Sequence, residues 1–306
     1  MINGVPRILI IRLSAIGDVV RVLPAVHALR IQYPHAQIDW VVEPKSRDVI
    51  EGHPDLDRCL VFERSSGWRE NVRAFFKLHE ALRGNYYDMV IDFHGAFKSG
   101  MIAFGTGAKR KLGFSRPRAK ELNWLFIRDR VALPHERMNR IEENFLLARR
   151  AGAEHCDLDA QLYVSEEIVE AVGMYFEARF HAGKPVVAVH APVERPEKQW
   201  PLRHFAALCD FLLADGRFDV MLTWGPGQRH VAEEVLALSR RSPEIAPETP
   251  DLKHLAALLQ AAALYVGGDT GPLHIAAAMG TPTVAIFGGT DPAKHAPPHD
   301  NARALY

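Results

Sequence analysis

Short apolar segments alternate with helical patterns along this 306-residue chain. The apolar segments predict seven strands, at Ile8–Arg12, Ile38–Val42, Met89–Phe93, Val186–Ala191, Val220–Trp224, Leu264–Val266 and Thr283–Phe287. The patterns between them predict helices at Asp18–Gln32, with a kink at Pro24, and at Phe75–Arg83, Arg140–Ala151, Glu166–His181, Leu202–Ala214 and His230–Arg240. Because strand–helix–strand repeats form parallel sheets covered by helices, we predict an α/β protein with two such sheets.

A stretch of weak pattern, Glu154–Val164, separates the two sets of strands. We therefore expect an N-terminal domain over residues 1–165 and a C-terminal domain over residues 166–306, each built on its own parallel sheet.

The composition excludes several classes of protein. The chain has 37 basic and 37 acidic side chains, which argues against a general nucleic-acid binder. No apolar run approaches the roughly 18 residues of a membrane span, and the N-terminus leads directly into a strand rather than into a signal peptide. The three cysteines are widely spaced and form no C-x-x-C pair, so neither a disulfide framework nor a zinc site is indicated. We expect a cytoplasmic protein.

The segment Val266–Ala278, V-G-G-D-T-G-P-L-H-I-A-A-A, places a glycine turn between a strand and a helix. A helix that begins near Thr270 and Gly271 presents free backbone N–H groups to an anion, and the preceding glycines let a ligand approach closely. His274 lies one turn further on and covers the same end of the helix. The alternative is that Asp269 or Thr270 only caps the helix.

A second strand–turn–helix segment occupies Ile8–Ala25, with Ser14-Ala15-Ile16-Gly17 as the turn and Asp18 at the start of the helix. The dinucleotide fingerprint G-x-G-x-x-G is absent, which argues against an oxidoreductase. Asp18 follows the first strand, at the edge where open α/β sheets bind ligands. A dipole-stabilising role at the helix start is the alternative for this carboxylate.

Two further turns follow strands of the second sheet. Lys198 lies in the charged loop after Val186–Ala191, where a lysine can bind a phosphate, although a surface role is also open. Trp224 and Gly225 begin the turn T-W-G-P-G-Q after the next strand. Three such turns in one domain indicate a single pocket.

The N-terminal half contains a basic run, Lys109–Lys120, with six cations in twelve residues, preceded by a cluster at Arg64, Arg69 and Arg73. These cations are either a solvated loop or a binding surface for phosphates and carboxylates, including those of an anionic membrane.

The order of these segments resembles glycosyltransferase family 9, and most closely the lipopolysaccharide heptosyltransferases. The resemblance rests on I-R-L-S-A-I-G-D-V-V-x-x-L-P-A at the N-terminus, Asp92–Gly100, Leu112–Phe126, Glu197–Pro201, D-T-G-P-L-H and Phe287–Pro292. It implies a GT-B architecture, in which two Rossmann-like domains face a cleft, and an inverting transfer of heptose from ADP-heptose to the Kdo region of lipid A at the inner face of the membrane. It also implies that no metal or other cofactor is needed, and the chain contains no D-x-D motif.

The resemblance assigns roles to individual residues. Asp18 would be the general base, and the donor would be bound by Lys198, Asp269, Thr270, Gly271, His274, Trp224 and Gly225. Lys198 and the amides of Thr270 and Gly271 would contact the diphosphate, whereas Asp269 would accept hydrogen bonds from sugar hydroxyls. The acceptor would be bound by Ser14, Gly17, His94, Lys98, Arg64 and Arg116.

The chain departs from the family pattern at three places. Gln228-Arg229-His230 stands where an acidic residue commonly holds the donor ribose, and Pro192-Val193 stands where hydroxyl residues are common. The chain ends at Tyr306, before the helix with which GT-B enzymes usually finish, so we expect either a truncated sequence or a less firmly closed cleft. A GT-B enzyme that uses another nucleotide sugar, or a binding module without activity, is the alternative function.

Overall fold

The computed structural model describes residues 5–63, 67–158 and 162–306, which form two compact units, Met1–Tyr163 and Val164–Tyr306. The strands of the first unit are β1 to β6: Arg7–Ile11, Gln37–Val42, Arg58–Val61, Met89–Asp92, Arg110–Phe114 and Asp129–Val131. Its helices are α1 to α6: Ile16–Val20, Leu23–Gln32, Arg47–Ile50, Trp68–Arg83, Phe97–Gly105 and Arg140–Ala151.

The second unit repeats this alternation. Its strands are β7 to β12: Val186–His190, Asp219–Thr223, Glu244–Ile245, Leu264–Gly268, Thr283–Ile286 and Ala302–Leu305. Its helices are α7 to α12: Glu166–Arg179, Leu202–Asp215, Arg229–Leu238, Leu252–Ala261, Gly271–Ala278 and Pro292–His295. No helix within the described ranges is long and apolar enough to span a bilayer.

Each unit contains one six-stranded parallel sheet within the described residues. The strand orders are β3-β2-β1-β4-β5-β6 and β12-β11-β10-β7-β8-β9. Both are the order 3-2-1-4-5-6 of the doubly wound nucleotide-binding fold, one of them read from the opposite edge. The order reverses between β1 and β4 and between β7 and β10, and ligands of such sheets bind at the carboxyl ends of those strands.

The central strands are predicted correctly because they are continuous apolar runs. Residues 8 to 11 of β1 are at most 1% exposed, and β7 is buried along its whole length. Burial on both faces is what an apolar run indicates in a parallel sheet. The single helix Asp18–Gln32 with a kink at Pro24 is instead two helices: α1 ends at Val20, and α2 starts at Leu23 with the proline in its first turn, where its missing N–H group is tolerated.

Five strands are not predicted by the sequence: β3, β5, β6, β9 and β12. Four of them lie at or next to a sheet edge and are short or partly exposed, so their apolar pattern is weak. The fifth, β5, begins inside the basic run Lys109–Lys120, with Arg110 and Lys111 at its start and buried residues from Leu112 onward. The interpretation of this whole run as a solvated loop is therefore wrong, because residues 110–114, in its first half, form a strand of the sheet.

Candidate functional site

In the N-terminal unit, Asp18 is held by two arginines at the carboxyl end of β1. Arg12, which directly follows β1, forms an ion pair with one carboxylate oxygen of Asp18, and Arg21 Nη2 lies 3.0 Å from the other. Arg12 is itself fixed, since its Nη1 donates to the carbonyl of Phe93 after β4 at 2.8 Å. The Asp18 side chain keeps about a third of its surface exposed, at 34%. A charged, oriented and accessible carboxylate therefore stands at the switch point of this sheet.

The other predicted residues of this edge surround the turn after β4. Lys98, in the first turn of α5, donates to Glu43 Oε1 at 2.7 Å, and Glu43 follows β2. His94 is largely buried, and burial together with Arg12 and Lys98 lowers its pKa to about 3, so its ring is neutral at pH 7. Ser14 lies in the turn after β1, and Gly17 lies in the first turn of α1, next to Asp18. The structure thus brings Ser14, Gly17, Asp18, His94 and Lys98 to neighbouring strand ends, whereas Arg64 lies outside the described residues.

The side chain of Asp92 fixes the conformation of the turn after β4. This fully buried carboxylate accepts hydrogen bonds from the amides of His94 and Gly95 at 2.9 and 3.0 Å, and from the side chains of Ser99 and Asn123 at 2.8 and 2.7 Å. Burial raises the pKa of Asp92, while these four donors favour its charged form. Because all the bonds point inward, Asp92 shapes the turn instead of meeting a ligand.

Further cations follow β5. The Arg116 guanidinium lies 3.4 Å from the centroid of the Trp124 ring, and Arg118 Nε donates to Glu143 Oε2 at 2.9 Å. Arg140 Nη1 donates to the same carboxylate oxygen at 2.6 Å, so two guanidinium groups share one buried anion. Burial and the nearby Arg12 and Arg140 lower the pKa of Arg118. This edge therefore carries more positive than negative side chains and suits an anionic ligand.

In the C-terminal unit, a buried polar cluster lies at the carboxyl end of β10. Lys198 Nζ donates to Asp269 Oδ2 at 2.6 Å and to the Asp269 carbonyl at 3.1 Å. Thr290 Oγ1 donates to the same Oδ2 at 2.8 Å, and His274 Nε2 lies 3.5 Å from Oδ1. Burial alone would raise the pKa of Asp269, but His274, Lys198 and Thr290 hold it well below its ordinary range. The carboxylate is charged and only 5% exposed.

This geometry differs from the expected contact between Asp269 and sugar hydroxyls. Both oxygens already face protein donors, so the carboxylate has almost no surface to offer a sugar. It is an anchor that orients Lys198, whose side chain remains 17% exposed.

The start of α11 lies beside this cluster. Thr270 is the residue before the first turn, has an extended backbone, and gives no side-chain cap to the helix. Gly271 begins the helix, and Pro272 follows without an N–H group. The amides that this helix end offers next to Asp269 are therefore those of Thr270 and Gly271. The free N–H groups and the Lys198 ammonium together provide positive charge for a phosphate.

Because Gly268 and Gly288 lack side chains, the loop after β7 and the loop after β11 lie close to the start of α11. A Cβ on Gly268 would lie 3.2 Å from Val193 Cγ1, and one on Gly288 would lie 3.1 Å from the carbonyl of Glu197. The F-G-G-T-D-P loop can therefore pack directly on the short 3-10 turn Pro196–Lys198. That packing places Thr290 within reach of Asp269.

Trp224 and Gly225 follow β8, the strand next to β7. Trp224 is 7% exposed, and its indole N–H donates to the carbonyl of Ala246 at 2.9 Å. The ring packs in the core of the unit, so its contribution at this edge is structural support of the turn. Beyond it, Glu233 is paired with Arg229 at 3.0 Å.

The sequence does not single out Arg12, Glu43, Arg118 and Thr290. Glu43, Arg118 and Thr290 act through partners that are distant in sequence, so spacing alone carries no signal for them. Arg12 is only six residues from its partner Asp18, within the N-terminal motif, but the motif does not show which of its residues pair. Thr290 lies inside a recognised motif, F-G-G-T-D-P, and the placement of that motif after a strand could have indicated it. No group of three or more His, Cys, Asp or Glu able to hold a metal ion occurs among residues 5–63, 67–158 and 162–306.

Comparisons with known proteins identify relatives of this chain. The chain is 28% identical over 294 residues to lipopolysaccharide heptosyltransferase 1 of Escherichia coli K12, covering 94% of this chain and 89% of that protein. It is 24% identical over 302 residues to the lipopolysaccharide core heptosyltransferase OpsX of Haemophilus influenzae, covering 97% and 84% of the two chains. Its fold is similar to that of the E. coli heptosyltransferase WaaC with ADP, at a TM-score of 0.78, 26% identity, and 98% and 92% coverage.

This likeness and the two parallel-sheet units confirm the predicted α/β, GT-B class. The sequence model described as "Glycosyltransferase family 9 (heptosyltransferase)" matches residues 75–306, about three quarters of the chain. The chain therefore belongs to glycosyltransferase family 9, the heptosyltransferase family.

Proposed function

We propose that this protein transfers heptose from ADP-heptose to the Kdo-bearing inner core of lipopolysaccharide, with inversion at the anomeric carbon and without a metal ion. The names of the relatives support the substrate class, and the nucleotide in the WaaC structure supports an adenosine diphosphate donor. The observation that carries the proposal is the pairing of Lys198 with Asp269 beside the start of α11.

The donor diphosphate would lie on the C-terminal unit. Its phosphate oxygens would accept hydrogen bonds from the amides of Thr270 and Gly271 and from Lys198, which Asp269 keeps in place. When the bond between the anomeric carbon and the β-phosphate oxygen breaks, negative charge grows on the leaving ADP. Preorganised N–H groups and a cation stabilise that charge, which is the role a divalent metal plays in other transferases.

The attacking group would be an acceptor hydroxyl on the N-terminal unit. Asp18 would take its proton as the new bond to the anomeric carbon forms on the face opposite the leaving ADP. Arg12 and Arg21 fix the carboxylate in one orientation, which favours a defined approach of the hydroxyl.

The acceptor's carboxylate and phosphates would meet the cations at the ends of β4 and β5. Lys98 and Arg116, with Arg118 behind them, supply positive charge there, and Arg64 precedes them in sequence. His94 lies among these cations as a neutral ring that can donate or accept one hydrogen bond.

One observation favours a different nucleotide as the second candidate. Gln228-Arg229-His230 replaces the acidic residue expected at the ribose, and Glu233 is engaged with Arg229. A panel of ADP-, GDP- and UDP-sugars offered to the same acceptor separates the two donors.

The test of the main proposal is transfer from ADP-heptose to Kdo-lipid A in EDTA, with Asp18→Asn and Asp48→Asn compared with the wild type. Asp48 is a matched control, since it also lies in the first turn of a short helix after a strand. We expect metal-free product from the wild type and the control, and a rate about 10²- to 10⁴-fold lower from Asp18→Asn. Equal rates from all three would remove Asp18 as the base, and activity that needs added Mg²⁺ would overturn the metal-free mechanism.

A further inference from the structure

Four large apolar side chains are exposed on one side of the N-terminal unit: Phe97, Phe104, Leu122 and Leu125, here called the apolar platform. Their exposed fractions are 40%, 66%, 49% and 66%. Phe97 and Phe104 lie two turns apart on α5, whereas Leu122 directly precedes the 3-10 turn Asn123–Leu125 and Leu125 is its last residue. An exposed apolar cluster of this kind marks a surface that binds another protein or a membrane.

The two parts of the platform form one continuous surface. The Phe126 ring, which follows the 3-10 turn, lies 5.4 Å from the Phe97 ring and 5.9 Å from the Phe104 ring. A Cβ on Gly100 would lie 2.6 Å from Phe126 Cδ2, so the absence of a side chain at Gly100 is what lets the turn lie directly on α5.

The platform is also rigid. Asn123 is fully buried, and its Nδ2 donates to Asp92 Oδ2 at 2.7 Å and to the carbonyl of Ala96 at 2.9 Å. Leu122 and Leu125 are therefore attached to the end of β4 and cannot fold back into the core to reduce their exposure.

The segment that carries the platform is rich in cations, although Lys98, Arg110 and Arg118 are paired with Glu43, Asp129 and Glu143. Residues 97–128 contain eight lysines and arginines and a single acidic residue, Glu121. Lys120 and Arg128 are exposed beside the 3-10 turn, and Trp124 within it lies against the Arg116 guanidinium. Tryptophan side chains are enriched at membrane–water interfaces, where lysine and arginine bury their apolar stems and keep the charge in water.

We infer that the apolar platform docks this protein on an anionic lipid bilayer. Exposed Phe and Leu side chains insert between headgroups, and the flanking cations attract anionic lipids. A second copy of the chain fits less well, because two platforms placed face to face would bring like charges together.

The platform lies beside the residues proposed to bind the acceptor, so the role of membrane docking rests on the proposed function. Phe97 is adjacent to Lys98, and the 3-10 turn is tied to the strand end that carries His94. A lipid-anchored acceptor would then reach the N-terminal unit without leaving the bilayer.

The test is sedimentation with vesicles of phosphatidylcholine alone or with 30 mol% phosphatidylglycerol, at low and high salt, using the full chain. The variant is Phe104→Ser with Leu125→Ser. The matched control is Met174→Ser with Phe211→Ser, which removes two side chains of nearly equal exposure, 66% and 68%, from α7 and α8 of the other unit. We expect the wild type and the control to bind the anionic vesicles alike, the platform variant to bind them about tenfold to a hundredfold more weakly, and salt to weaken all binding.

Three results would overturn the inference: no preference of the wild type for anionic vesicles, equal loss in the control, or a wild-type dimer in sedimentation equilibrium that the platform variant converts to monomer. Heptose transfer to an acceptor without acyl chains is measured alongside and should be the same in the platform variant and the wild type. If neither transfers heptose while vesicle binding follows the prediction, the proposed function fails and the docking surface stands.

Discussion

Lys198 and Asp269 are 71 positions apart in the sequence, yet their side chains meet at 2.6 Å, and the ammonium also donates to the Asp269 backbone carbonyl. The lysine comes from the turn after β7 and the carboxylate from the end of β10, the two strands that flank the switch point of the second sheet. A buried anion at the start of α11 thus holds a cation where the free amides of that helix are exposed.

Replacing the cation should slow the transfer reaction. Lys198→Met keeps the length of the side chain but removes the charge, so under the proposed function the leaving diphosphate would lose its main positive partner. We expect kcat/KM for the nucleotide sugar to fall about 10²- to 10³-fold. The measurement is steady-state transfer kinetics, with Lys45→Met as a control at an exposed lysine of the other unit. A drop smaller than threefold would mean that Lys198 does not contact the diphosphate.

Thr290 should act on donor binding through Asp269. Thr290→Val preserves shape but removes the hydroxyl that donates to Asp269 Oδ2 at 2.8 Å, so the carboxylate that orients Lys198 loses one of its bonds. We expect KM for the donor to rise about three- to tenfold, the equivalent of roughly 1 kcal/mol, while kcat changes less. Thr290→Ser restores the hydroxyl and should restore KM. A Tm that falls in both variants with KM unchanged would indicate a purely structural role.

The sequence predicts the centre of each sheet and the residues at the switch points, because both depend on local patterns. Buried parallel strands are apolar runs, and Asp18, Asp269 and His274 lie in recognisable strand–turn–helix segments. It does not predict edge strands such as β9, which has two residues and is only partly buried. It also gives no sign that Asp269 is enclosed, because Lys198 and Thr290 reach it from two separate loops and only tertiary packing brings these together.

His190 should make the stability of the protein depend on pH. It is 2% exposed at the end of β7, its Nδ1 lies 3.0 Å from Thr223 Oγ1, and burial lowers its pKa to about 4. The unfolded chain, with a histidine pKa near 6.5, binds more protons than the folded chain between those two values. Stability from this group is therefore complete above about pH 6.5 and decreases as the pH falls toward 4, by an amount of order 3 kcal/mol.

The measurement is Tm at pH 7, 6, 5 and 4.5 for the wild type, His190→Gln and His35→Gln. His35 is exposed and serves as the matched control. The slope of Tm against pH should become shallower in His190→Gln and stay unchanged in the control. Parallel slopes in all three proteins would show that another group governs the acid transition.

Gly267 should be intolerant of a side chain because the Tyr265 side chain of the same strand and the backbone of the neighbouring strand β7 fill the space beside it. A Cβ there would lie 2.5 Å from the Tyr265 hydroxyl and 2.9 Å from the carbonyl of His190 on β7, so Gly267→Ala must push the two strands apart. We expect a loss of about 1–3 kcal/mol, seen as a lower Tm, together with weaker donor binding, since Asp269 is only two residues away. Gly173→Ala is the matched change on α7, where an added Cβ meets nothing within 4 Å, and it should raise Tm slightly. Opposite shifts of Tm in the two variants would show that the crowding around Gly267, and not the loss of a glycine as such, lowers the stability. An unchanged Tm in Gly267→Ala would mean that the surroundings of Gly267 can move at no cost.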